Sequence, residues 1–190
     1  MKFRIARERR DVIARALLIA CAAVVLGVGS ASARQWNPTP QALAQDYSMI
    51  QDNRTGDELV MVFWLSPLMV KEKEMQDVLS TNVIVGVLDA HIGADGKMSA
   101  ASDDTFSAKD SAGKTLRILK GDDIPPAISG GVQMIESMFR QSLGPMGAAF
   151  QWYVLDGSSV HACQPGNGFS VRFAGETYVY DTPIPGCPKS

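Results

Sequence analysis

Histidine and cysteine are scarce in this chain, with two of the first and three of the second in 190 residues. The recurrent catalytic signatures are missing as well. No G-x-S-x-G elbow, H-E-x-x-H helix, phosphate-binding P-loop or dinucleotide G-x-G-x-x-G occurs in the sequence. The enzyme classes built on those motifs are therefore set aside. Basic clusters are confined to the first fifteen residues. Without a clustered lysine or arginine surface to displace counterions, nucleic acid is not an expected partner. Apolar runs are short too. The one from Ala16 to Gly29 spans fourteen residues, fewer than the roughly 20 needed for a permanent membrane-spanning helix.

The front of the chain, by contrast, is rich in signal. Six basic residues (Lys2, Arg4, Arg7, Arg9, Arg10 and Arg15) precede the apolar run, and Ala31 and Ala33 follow in the A-x-A arrangement of a signal-peptidase site. Residues 1–33 are read as a cleavable export signal, with an uncleaved anchor as the alternative. "RRDVI" resembles a twin-arginine motif, although Glu8 and the lack of a downstream lysine depart from it. "LIAC" resembles a lipoprotein box, but only five apolar residues separate Arg15 from Cys21, so lipidation is not expected. The remaining residues, 34–190, are enough for a single domain. The leader takes six of 18 basic and two of 20 acidic residues, leaving twelve against eighteen and a formal charge of about −6. A periplasmic or secreted location is the expectation, with no stable transmembrane segment after cleavage.

Loss of the leader leaves two cysteines, Cys163 and Cys187. In an oxidising compartment such a pair points to a disulfide. The tail "TPIPGC" suits that role, because Pro183 and Pro185 restrict the backbone and Gly186 permits a turn that brings Cys187 back to the body.

The periodicity predicts an α+β domain of mainly antiparallel sheet, sandwich-like, with one longer helix inserted near 126–143 and shorter N-terminal helices. A single sheet backed by helices is the alternative. Thr39 and Pro40 open a first helix carrying Leu43, Tyr47 and Ile50 on one face, and "NRTG" (53–56) closes it. "ELVMVFWL" (58–65) is apolar on both faces, as a buried strand is. Pro67 opens a second helix with Leu68, Met75 and Leu79 inward. "NVIVGVLDAHI" (82–92) is the clearest strand, with Val83, Val85 and Val87 on one side and Ile84, Leu88 and Ile92 on the other. "GADGK" (93–97) and "DSAG" (110–113) mark hairpin turns. The helix near 126–143 places Ile128, Val132, Ile135, Phe139 and Leu143 on one stripe, with Asp123 as its cap, Gly130-Gly131 delaying its start and Gly144-Pro145 as its stop. "FQWYVLD", "VHAC", "FSVRF" and "TYVYD" are short strands.

Four side chains form the sharpest chemical candidate. Asp89 and His91, and His161 and Cys163, are i, i+2 pairs; on neighbouring strands they would present a zinc or copper site. Placing Cys163 in the disulfide removes it, and no metal or other cofactor is expected. Ser159 beside His161, with Asp156 or Asp181 to orient the ring, is the hydrolase candidate. Asp122-Asp123 is assigned to helix capping in place of calcium, whose loops need denser oxygen donors. Met134 and Met138 flank the apolar stripe and are assigned to the core, not to copper. Phe173, Tyr178 and Tyr180 form a candidate partner surface, with alternate aromatics filling the core and the others capping a sheet edge as the other reading. The leading expectation is a non-enzymatic exported protein that binds an unknown protein or envelope component; a hydrolase or metal-dependent enzyme centred on His161 is the alternative.

Overall fold

Strands with no polar side must be covered twice, and two such strands organise this molecule. The computed structural model describes residues 38–54, 56–101 and 105–188. Within them α1 (Pro40–Ser48) leads into β1 (Met49–Asn53) and β2 (Glu58–Leu65). A short 3-10 turn at Pro67–Met69 and α2 (Lys73–Leu79) precede β3 (Asn82–Ile92), β4 (Met98–Ala100) and β5 (Ser107–Asp110). The long helix α3 (Pro126–Leu143) is followed by the single turn α4 (Pro145–Ala148), then β6 (Gln151–Asp156), β7 (Phe169–Phe173) and β8 (Glu176–Tyr180).

The larger sheet runs β1-β2-β3, with β4 and β6 sharing the far edge of β3. β6 pairs with residues 82–87 and β4 with residues 90–92, so the eleven residues of β3 carry two partners end to end. A second sheet is ordered β5-β7-β8, and every strand pair in both sheets is antiparallel. Alternation sorts the side chains of the larger sheet. Val60, Val62, Trp64, Val83, Val85 and Val87 face the smaller sheet and meet Val171, Phe173 and Tyr180 there. Leu59, Met61, Phe63, Leu65, Ile84 and Leu88 face the opposite way, toward the helices and Ile128. The result is two sheets face to face, with a helical layer over the outer face of the larger one. This is the expected α+β, sandwich-like arrangement.

Several local expectations hold. Thr39 caps α1 by accepting a hydrogen bond from Ala42 N, and Pro40 occupies the first helical position. β3 and β4 meet across the 93–97 turn, where Ile92 pairs with Met98. Gly144, at φ +58, ends α3.

Others are corrected. The first helix stops at Ser48 and residues 49–53 form β1, paired residue for residue with β2. The Tyr180 hydroxyl reaches Ser48 O and Val62 O, which pins the helix end beside the sheet. The expected second helix is broken into the 3-10 turn and α2, with Val70 and Glu72 extended between them. Residues 115–119 do not form a regular strand. Leu116 N bonds to Ala108 O in the small sheet, whereas Leu119 N bonds to Val154 O beside the large one, so this segment crosses between sheets. Asp123 does not cap α3; its carboxylate accepts from Arg117 Nη1 at 2.9 Å. The two central glycines do not delay α3, which runs unbroken from Pro126. Ile92 and Leu143 are exposed where the patterns place them inward.

Gly86 is required by a close approach. A Cβ there would lie 2.9 Å from the Trp152 ring, which crosses over β3 at the paired position. Gly86→Ala is expected to destabilise the domain by roughly 1–3 kcal/mol through forced displacement of that ring. Chemical denaturation of the variant, followed by tryptophan fluorescence, checks this.

Candidate functional site

The helical layer covers the large sheet incompletely. Of the eighteen residues of α3 only Ile128 is fully buried, and open space lies on both flanks of the helix. On one flank a groove of about 810 Å³ runs between α3 and the edge formed by α1, the 3-10 turn and α2. Phe63 and Leu65 of β2 and Ile84 of β3 make its floor, since they belong to the face of the large sheet turned to the helices. Gln41 of α1 fixes the 3-10 turn by donating to Met69 O at 2.7 Å. Gly131 allows α2 to come close, because a Cβ there would lie 3.0 Å from Met75 Cε.

Four methionines border this groove: Met69, Met75, Met134 and Met138. Met134 is 72% exposed and Met138 55% exposed, so their assignment to the core is corrected. The stripe Ile128, Val132, Ile135 and Phe139 turns toward the sheet, and no neighbouring element of the described residues buries the two methionines one turn apart beside it. Unbranched thioether side chains at an open edge present an adaptable apolar surface. The groove lining has no histidine, cysteine, serine or lysine; its charged residues are Glu72 and Glu74.

The cavity on the other flank, about 610 Å³, is more polar, with Lys120, Gln133 and Glu136 beside Trp152. The Trp152 Nε1 is buried without a hydrogen-bond partner among the described residues. Phe106 and Tyr153 stack with centroids 3.8 Å apart on its wall.

The other residues singled out from the sequence lie elsewhere. Asp89 stands opposite Val60, and His91 opposite Glu58, on β3. Residues 160–163 are not a strand; His161 sits in the loop between β6 and β7, its N–H donating to Asn167 O. Cys163 is bonded to Cys187, with Cα atoms 5.4 Å apart. The two i, i+2 pairs are thus not on neighbouring strands, and no group of three or more metal-ligating His, Cys, Asp or Glu occurs among the described residues. Ser159 Oγ donates to Asp110 Oδ2 at 2.9 Å instead of to His161. Phe173, Tyr178 and Tyr180 are buried between the sheets, so their reading as a partner surface is corrected. Their exposed neighbours Arg172, Thr177 and Val179 alternate with them.

Two polar clusters near these residues are structural. Arg54 donates to Glu58 at 2.8 Å, to Asp52 at 3.3 Å and to the Tyr178 hydroxyl at 3.0 Å, and that hydroxyl lies 3.1 Å from Asp52. This ring joins the β1–β2 hairpin to β8 across the sandwich. Burial, outweighing the opposing Arg54 guanidinium, raises the Tyr178 phenol above its ordinary range.

Asp110 organises the "DSAG" turn. Its Oδ1 accepts from Ala112 N and Lys114 N while Oδ2 accepts a hydrogen bond from Ser159 Oγ. Burial pushes its carboxyl up, but Ser159, Lys114 and Ala112 donate against that and hold it below the ordinary 3.8. A depressed folded-state value means the stabilisation is complete above about pH 4 and is lost as pH falls further. Asp110→Asn is expected to be less stable at neutral pH and to show a flatter decline in stability below pH 4. Urea midpoints measured across that range check both.

Comparison with protein-family models, curated proteins and solved structures finds no match to this chain.

Proposed function

We propose that this chain is an exported, non-enzymatic binding protein of the periplasm or cell exterior, and that the methionine-bordered groove beside α3 receives its partner. The observation that carries the reading is the groove itself. It has an apolar floor of core residues and a lip on which Met134 and Met138 stand largely in solvent. A contiguous apolar concavity on a folded surface marks interaction sites, whereas isolated exposed apolar residues do not. The disulfide and the A-x-A site at 31–33 support export. No helix among the described residues is long and apolar enough to cross a membrane. Engagement of Ser159 by Asp110 leaves the neighbouring His161 without the nucleophile it would need, which favours binding over hydrolysis.

The test uses the oxidised chain 34–190 and the environment-sensitive dye bis-ANS. Met134→Glu combined with Met138→Glu is expected to weaken dye binding by roughly tenfold or more, from the transfer free energy of two methionine side chains. Stability should change by no more than about 0.5 kcal/mol, as for exposed positions generally. Undiminished dye binding by the folded double variant would remove the groove from the proposal.

A further inference from the structure

We infer, building on the reading of the groove as a binding site, that its occupant is an amphipathic helical segment of a partner protein carrying lysine or arginine beside its apolar face. Three independent features of the groove select that chemistry.

The first is shape. The α3 residues along its wall recur as Ala127, Gly130 and Gly131, Met134, and Met138. Spacings of three and four along one helix form a continuous strip, and the eleven steps from Ala127 to Met138 at about 1.5 Å each give a wall of roughly 17 Å. An elongated apolar trough of that length matches three turns of a helix laid beside α3.

The second is surface texture. Gly130 faces open space, with nothing within 4 Å of where a Cβ would stand. The middle of the wall is therefore low and admits a close approach, whereas Met75, Met134 and Met138 rise around it. Flexible thioethers can repack around leucine, isoleucine or phenylalanine side chains of an incoming helix.

The third is charge. Glu72 and Glu74 are exposed at the rim, and no lysine or arginine lines the groove. Glu72 sits at the N-cap position of α2 and Glu74 in its first turn, so the start of α2 brings both carboxylates to the groove, while Lys71 and Lys73, which alternate with them, do not line it. An anionic headgroup at the end of an acyl chain would meet these carboxylates and be repelled. A basic side chain would be attracted, in keeping with the net negative charge of residues 34–190.

The experiment uses the oxidised chain 34–190 labelled at its methionine methyl groups. Three probes are titrated at low salt: a sixteen-residue amphipathic Leu/Lys helical peptide, its Leu/Glu counterpart, and monomeric laurate. The Leu/Lys peptide is expected to shift the methyl signals of Met75, Met134 and Met138 and to bind at least tenfold more tightly than the Leu/Glu peptide. Glu72→Gln with Glu74→Gln should weaken the Leu/Lys peptide by roughly three- to tenfold, the range for two partly solvated charge pairs. Because bis-ANS is itself an anion, that variant should bind the dye at least as tightly as the unsubstituted chain, and Glu176→Gln on β8 should change the affinity for neither peptide nor dye.

Equal affinity of the two peptides, no loss on neutralising Glu72 and Glu74, or stronger binding of laurate would overturn the basic-helix occupant. In those cases the moving methyl signals would leave the groove itself standing. If no probe moves those methyls and bis-ANS is indifferent to Met134→Glu and Met138→Glu, the groove reading fails too.

Discussion

Trp64→Ala is expected to destabilise the domain by roughly 3–5 kcal/mol, the range for removing a large aromatic from a packed core. Trp64 lies on the central strand β2, is 2% exposed, and faces the smaller sheet. It meets the ring of Phe169 edge-on with centroids 5.0 Å apart and that of Tyr180 at 5.5 Å. Phe169 in turn stacks on Tyr180 at 5.0 Å. The alanine variant would therefore leave a cavity between two sheets whose backbones are fixed by their own ladders and cannot readily close it. Urea denaturation should show a markedly lower midpoint. A loss below about 1 kcal/mol would mean that the sheets do not pack through this residue.

Replacing Cys163 and Cys187 by serine is expected to destabilise by roughly 3 kcal/mol in the chain-entropy treatment of a loop of about 25 residues. For a domain of this size that corresponds to a melting temperature lower by about 6–12 °C. The bridge does more than shorten a loop in the unfolded chain. It holds a tail already seated on the body: Ile184 is buried and its N–H donates to Ala162 O at 2.9 Å. Tyr47 OH donates to Asp181 O, and Gly186, at φ +98, passes so close to the Pro40 carbonyl that no side chain would fit. Thermal unfolding of the double-serine variant should match that of the wild type in reductant, and both should fall below the oxidised wild type. A reductant-insensitive wild type would contradict this role.

The elements legible in the sequence are those whose signal is local or two-sided. β2 and β3 have no polar face, which requires cover on both sides, and the two sheets and helical layer supply it. Thr39-Pro40, the 93–97 turn and Gly144-Pro145 each act through their own backbone chemistry and appear where expected. Residues 49–53 were not legible as a strand, because "MIQDN" carries little pattern and owes its conformation to pairing with β2. Alternation in "FSVRF" and "TYVYD" gives two sets of side chains but does not say which set is inward; Phe173, Tyr178 and Tyr180 proved to be the inward set. The groove was the least legible feature. A helical stripe shows which face of α3 turns toward a core, but not that the space beside Met134 and Met138 lacks a covering element. Concavity depends on what is missing from the neighbourhood of a helix, and no residue on that helix encodes it.

The proposed export would account for both the disulfide and the kind of partner the groove would meet, and intact-mass measurement of the chain recovered from its own cells tests it most directly. The expected species begins at Arg34, is found outside the cytosol, and is two hydrogens lighter than the reduced chain. A cytosolic species that retains residues 1–33 and carries both Cys163 and Cys187 as free thiols would contradict the proposal.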